Sequence, residues 1–322
     1  MTSPEAAHHE SIGGESGRIA HDDIRGFAPP PAFGGRALVT LTTLGIFTAL
    51  SWADATGFAG LRSGWWLMPV AILITIAGIV ELRILFEHAG LRLPGGLLAA
   101  GATLMLLAAT ARSVDGPAAH MAASSMAFTG LMVALCIDSI VRYRPGERSL
   151  DRLAAGCLTA LVFCLPMAFI VGLRYVSPAD ESTGRQSILP LASMVAVVKA
   201  GDIAAYLVGS SIGRRPMAPL LSPQKTWEGA AASIATSIAI SGMTVGLFSP
   251  HGQQPLGGWI VYGLFVGVAG LAGDLTESLL KRELRVKDSG RLLASLCGVL
   301  DLVDALLLAA PVAWFLWVAG GS

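Results

Sequence analysis

Residues 258–304 read GWIVYGLFVGVAGLAGDLTESLLKRELRVKDSGRLLASLCGVLDLVD. This stretch opens on an apolar run, 258–280, long enough as helix to cross about 30 Å of hydrocarbon. Asp274 and Glu277 lie inside that run, and a connection dense in Lys and Arg follows. A second apolar run, 298–319, carries Asp301 and Asp304 near its start. A carboxylate in hydrocarbon costs about 2.5–3.5 kcal/mol even on insertion scales, so such residues need a reason.

The rest of the chain has the same texture. Its 322 residues carry no net charge, are 53% hydrophobic and only 14% charged. Soluble domains carry about 25% charged residues. Mean hydropathy is +0.65. These values exclude a disordered chain, a charge-driven nucleic-acid binder and a soluble enzyme. Nine apolar segments are expected, at about 37–53, 65–86, 96–111, 120–141, 153–173, 188–208, 230–248, 258–280 and 298–319. The expected fold is an all-α polytopic integral membrane protein with about nine transmembrane helices. Residues 1–36 read as a flexible tail without a signal-peptide pattern. Residues 37–185 read as plain membrane helix, and 186–322 as the module that carries the chemistry. Cys136, Cys157, Cys164 and Cys297 show no CxxC spacing and read as small apolar filler.

Charge supplies an orientation. Of the 22 Lys and Arg, 16 fall in the tail and in the connections after the second, fourth, sixth and eighth segments. The positive-inside rule then puts the N-terminus in the cytoplasm and the C-terminus outside.

Five segments carry charge inside or at the edge of the membrane. Arg83 and Glu87, beside Glu81, are spaced i,i+4 and read as an ion pair, as do Asp138 and Arg142. Lys199 and Asp202, Asp274 and Glu277, and Asp301 and Asp304 are each spaced i,i+3. On the assigned topology, Asp202, Asp274 and Asp304 share one depth, about 9 Å inside the cytoplasmic boundary. Separate ion pairs would be the bland explanation. Lys199 can neutralise only one carboxylate, however, and close carboxylates repel unless cations or protons intervene. One shared, water-accessible metal site is the sharper reading. All-oxygen ligands suit Mg²⁺, and no histidine follows His251 to favour zinc.

Two cytoplasmic connections flank these carboxylates. Loop 209–229 ends Ser222-Pro223-Gln224-Lys225-Thr226-Trp227-Glu228-Gly229 and reads as a structured turn. Lys225 is a point charge suited to phosphate. Thr226 or Glu228 could cap the next helix. Loop 281–297 reads either as a lipid-headgroup anchor or as a phosphate clamp beside a cation site.

These residues carry a resemblance. Ser278-Leu-Leu-Lys281-Arg282, four residues, Lys287-Asp288-Ser289-Gly290, then Gly298-Val-Leu-Asp301-Leu-Val-Asp304 is similar to the signature of phosphatidate cytidylyltransferases. Gly273-Asp274-Leu275-Thr276-Glu277-Ser278, the 222–229 run and Asp202-Ile-Ala-Ala-Tyr206-Leu-Val-Gly209 resemble the same family. The likeness covers roughly 190–310. The pattern departs at Ala294, Leu296, Cys297 and Leu302, where the family usually has Pro or Gly, His-Gly and Arg.

The resemblance implies transfer of CMP from CTP to phosphatidic acid, giving CDP-diacylglycerol and pyrophosphate, in the cytoplasmic membrane. It implies Mg²⁺, alone or with a second cation. It places Asp274 and Asp301 on the metal, with Asp304 as ligand or support. Lys281 and Arg282 would serve catalysis, with Lys225, Thr226, Glu228, Lys287, Asp288 and Asp202 binding substrate or supporting the site. Membrane lipids are the other expected partners, a homodimer is a compatible assembly, and no nucleic acid is expected. Three rivals remain. They are a cytidylyltransferase for another lipid phosphate, a non-catalytic scaffold derived from the enzyme, and a transporter. The last is disfavoured because the charges stop at one depth.

Overall fold

A computed structural model describes residues 45, 49–50, 53–54, 66–110, 117–145, 148–176, 188–249, 254–284 and 298–321. The expected tail, most of segment 37–53, Lys287, Asp288 and Cys297 lie outside the described residues. Contacts divide the chain after Ile46, and the helices from Met68 onward belong to the unit Phe47–Ser322.

That unit is built of helices. In chain order they are α1 (Met68–His88), α2 (Gly95–Thr110), α3 (Pro117–Val141), α4 (Ser149–Thr159), α5 (Leu165–Gly172), α6 (Leu189–Ile212), α7 (Trp227–Ser241), α8 (Gly258–Glu283) and α9 (Val299–Gly320). Seven spans among the described residues are long and apolar enough to cross a membrane, with α4 and α5 together forming one of them, Ser149–Tyr175. The chain is an integral membrane protein. The short segment expected at 96–111 is α2, an apolar helix of 16 residues.

Local chemistry explains several boundaries. Pro69 and Pro190 stand in the first turns of α1 and α6, where a missing N–H costs nothing. The chain leaves α1 through Gly90, at φ 76°, a backbone region other residues avoid. Between α4 and α5 the helix widens into a π turn, Ala160–Cys164. Pro166 follows directly, and its ring would clash with the carbonyl four residues back in a regular helix.

The span that ends at Tyr175 runs past the expected 173 and takes Arg174 with it. Arg174 is not a connection residue. Its Nε donates to Asp54 Oδ2 at 2.6 Å, and both side chains are buried. A guanidinium so buried is tolerated because a carboxylate meets it.

Two cores share one helix. Leu82, Leu85, Leu98, Leu106, Leu135 and Phe163 pack with Leu300, Val303 and Leu307 of α9. Met194, Val197, Val198, Tyr262 and Val266 pack with Ala305, Ala309, Ala313 and Trp317 on the other side of α9. The first core holds the N-terminal helices and the second holds α6, α8 and α9.

Small residues draw α7, α8 and α9 close, as expected where lipid removes the usual hydrophobic drive between helices. A Cβ added at Gly263 would lie 2.6 Å from Ile238 Cα on α7. One added at Gly273 would lie 2.5 Å from the carbonyl oxygen of Asp304. Buried hydroxyls bond to neighbouring backbone, as Ser241 does to the Trp259 carbonyl at 2.8 Å.

The loop expected at 209–229 departs from an all-helical chain. α6 continues to Ile212, and an antiparallel hairpin follows, β1 (Pro216–Ala218) with β2 (Ser222–Thr226). Pro216 pairs with Thr226 and Ala218 with Ser222. β2 leads straight into α7, so Lys225 is held on a strand next to a helix start.

Candidate active site

The charged residues of the C-terminal half gather at one end of the helices. The last turns of α8 supply Asp274, Glu277 and Lys281. The first turns of α9 supply Asp301 and Asp304. The i,i+3 spacing puts both carboxylates of a helix on one face. Gly273 lets that face approach α9 at Asp304.

One carboxylate oxygen from each of Asp274, Glu277 and Asp304 lies within 4.8 Å of the other two. Asp304 is 8% exposed, whereas the Asp274 side chain is 36% exposed. The trio is therefore deep at one side and open at the other. Glu277 completes it. The i,i+3 pairing with Asp274 was the signal in the sequence, but the expected ligand set was Asp274, Asp301 and Asp304.

Ammonium groups frame the trio. Lys225 Nζ lies 2.7 Å from Asp274 Oδ2, off the hydrogen-bonding direction. Lys281 Nζ lies 2.6 Å from Glu277 Oε1 and also contacts Asp301. Asp301 thus stands beside the trio, tied to it through Lys281. Asp202, on α6, pairs with Lys199 at 3.5 Å and faces Asp274 and Lys225. The structure brings together Asp202, Lys225, Asp274, Lys281, Asp301 and Asp304 from the sequence reading. Lys287 and Asp288 lie outside the described residues.

Three other candidates have local partners. Thr226 caps α7, its hydroxyl accepting from the Gly229 N–H at 3.2 Å. Glu228 Oε2 accepts the backbone N–H groups of Arg214 and Arg215 at 3.2 and 3.3 Å. Arg282 Nε donates to the Leu221 carbonyl at 3.2 Å, tying the end of α8 to the hairpin turn. These bonds hold the hairpin, and hence Lys225, over the carboxylates.

The donor set is oxygen only. Among the described residues, five carboxylates face three ammonium groups, Lys199, Lys225 and Lys281. Such a cluster fits a hard divalent cation, because close carboxylates otherwise repel. Beside it runs a cleft lined by Val162, Leu280, Leu300, Leu307 and Leu308, which reaches Glu277 and Asp304.

Comparison with known proteins gives a match to the cytidylyltransferase family model over residues 36–319. The chain belongs to the cytidylyltransferase family. Within the family, a phosphatidate cytidylyltransferase of Mycobacterium bovis is 34% identical over 203 residues, 60% of this chain and 63% of that protein. A phosphatidate cytidylyltransferase of Brucella suis is 36% identical over 185 residues, 57% of this chain and 62% of that protein. An Escherichia coli K12 protein named uncharacterized protein YnbB is 39% identical over 123 residues, 38% of this chain and 40% of that protein. The match thus spans less than two thirds of each of these relatives. This cytidylyltransferase-family chain has its charged cluster in the half where the sequence resemblance lies.

Proposed function

We propose that this chain transfers CMP from CTP to phosphatidic acid, forming CDP-diacylglycerol and pyrophosphate for phospholipid synthesis. The observation that carries the reading is the Asp274, Glu277 and Asp304 trio, framed by Lys225 and Lys281 and partly exposed at Asp274. One substrate is a charged nucleotide and the other is a lipid that stays in the bilayer. Their phosphates must meet where charge-bearing residues and apolar helix adjoin.

Asp274, Glu277 and Asp304 would hold Mg²⁺, which, when bound, neutralises phosphate charge. Asp301 stays in the proposed ligand set on the family resemblance; in the structure it contacts Lys281, which also meets Glu277. Lys281, Lys225, Arg282 and Lys287 would stabilise phosphate oxygens. A phosphate oxygen of the lipid attacks the α-phosphorus of CTP. The bond to the β-phosphate oxygen breaks, and pyrophosphate leaves with that electron pair. The attacking monoester has a second pKa of about 6 and is largely ionised near neutrality, so no strong protein base is required. We assign the site to the cytoplasmic face, with the N-terminus on the same side, because 16 of the 22 Lys and Arg fall on that side of the expected topology.

The test uses purified protein in lipid micelles with labelled CTP, phosphatidic acid and Mg²⁺. Labelled liponucleotide is expected from the wild type. Asp274→Asn and Asp301→Asn should lower it by about 10²-fold or more. A well-folded wild type that makes no product from any lipid phosphate overturns the reading. A second reading is that the acceptor is another lipid phosphate. Leu302, where the family usually has Arg, packs against the N-terminal core and offers no cation. Product from a different phospholipid acceptor only would establish it.

A further inference from the structure

Glu81 lies on α1, outside the C-terminal half, and is 2% exposed. Its Oε2 accepts a hydrogen bond from the backbone N–H of Leu300 at 3.0 Å. Leu300 is the second residue of α9, so the bond falls on one of the N–H groups a helix start leaves without an internal partner. α9 has no side-chain cap of its own, since Gly298 occupies the N-cap position. A carboxylate there also faces the positive end of the helix dipole.

The other oxygen, Oε1, is buried and has no hydrogen-bond partner among the described residues. A buried, half-satisfied carboxylate is costly. A glutamine would make the same bond to Leu300 with less desolvation, and a Ser or Asp at position 298 would cap α9 locally. The bond instead spans 219 residues of sequence and ties the N-terminal helices to the turn that carries the site. Asp301 is the next residue, and Asp304 follows one turn later on the same helix.

We infer that Glu81 is a positioning residue for the carboxylate cluster. It holds the first turn of α9 along its axis. Asp301 and Asp304 are thereby kept in register with Asp274 and Glu277 of α8. The part of this inference that concerns cation affinity rests on the proposed cation site, and the part that concerns turnover rests on the proposed reaction. Partners that orient metal ligands typically change metal affinity or activity by about 10–100-fold when removed.

The experiment compares wild type with Glu81→Leu, Glu81→Gln and Glu81→Asp in detergent. Mn²⁺ is the probe, with free ion read by electron paramagnetic resonance. Thermal unfolding and liponucleotide formation are measured on the same samples. Glu81→Leu should weaken Mn²⁺ binding by about tenfold or more and lower kcat more than it raises the KM for CTP. Glu81→Gln keeps an oxygen that accepts from Leu300 and should recover most of the affinity. Glu81→Asp keeps the charge but shortens the reach by one methylene, and should remain impaired. If Glu81→Leu does not fold, the Gln and Asp variants decide. Wild-type Mn²⁺ affinity in both Leu and Asp variants overturns the inference, as does a Gln variant as weak as Asp. A wild type that binds Mn²⁺ but makes no liponucleotide defeats the proposed function alone.

Discussion

At the scale of single residues, the site is a balance of charge. Lys281 touches both Glu277 and Asp301, whereas Lys225 pairs, among the described residues, with Asp274. Lys281→Ala removes the ammonium that two carboxylates share and should lower kcat/KM by about 10²–10³-fold. Lys225→Ala should cost about tenfold, because Asp274 is partly exposed and water replaces the lost contact. Both are read from initial rates of liponucleotide formation, and equal losses would contradict the assignment. Much of this cluster was legible in the sequence. A charge inside an apolar run is conspicuous, so Asp202, Asp274, Asp301 and Asp304 stood out, and Lys225 stood out as a cation just before an apolar run. Which carboxylates meet was not legible, because that depends on helix rotation and approach. Glu277 therefore joined the trio only in three dimensions. Glu81 was visible as a charge near Arg83 and Glu87, but nothing local announced a bond to Leu300. The Arg83–Glu87 and Arg142–Asp138 pairs, at 2.8 and 2.7 Å, follow from i,i+4 spacing and were readable.

At the scale of helices, close approach matters as much as charge. Gly273 precedes Asp274 and faces the Asp304 backbone. Gly273→Ala should push α8 from α9, separating Asp274 and Glu277 from Asp304. A loss of about 1–3 kcal/mol in stability is expected from the overpacking. Cation affinity, read by Mn²⁺ resonance, should fall further than that loss alone explains. An alanine variant with wild-type affinity would show that the helices tolerate the methyl group. Hydropathy located these helices but not their ends. α6 overran its expected boundary by four residues and α8 by three, because hydropathy falls off where polar residues begin while the backbone stays helical. The π turns at Ala160–Cys164 and Gly242–Gly246 were invisible, since one extra residue per turn leaves an apolar run apolar. The 216–226 hairpin was foreshadowed only as a structured turn. Its strands are too short for alternation to show.

At the scale of the whole molecule, α9 joins two cores and carries two of the site's five carboxylates. The arrangement makes the N-terminal helices part of the site's support, although their residues read as plain membrane helix. Orientation is tested at the hairpin, where Leu220 is 93% exposed. A Leu220→Cys variant, with Cys136, Cys157, Cys164 and Cys297 replaced, should react with a membrane-impermeant maleimide in inverted vesicles and not in intact cells. Reaction in intact cells would reverse the assigned topology.

The clustering of Lys225, Asp274, Glu277, Lys281, Asp301 and Asp304 at one end of the bundle has a consequence for energy coupling. Moving one elementary charge through the full transmembrane voltage is worth about 2.3 kcal/mol per 100 mV. A nucleoside triphosphate bearing about four negative charges would therefore exchange about 9 kcal/mol with a field of about 100 mV if it crossed the bilayer. On the proposed reading it meets the lipid phosphate near the surface it came from, and almost none of the voltage falls along its path. Synthesis is then electrically silent, driven by the anhydride of the nucleotide and indifferent to whether the membrane is energised.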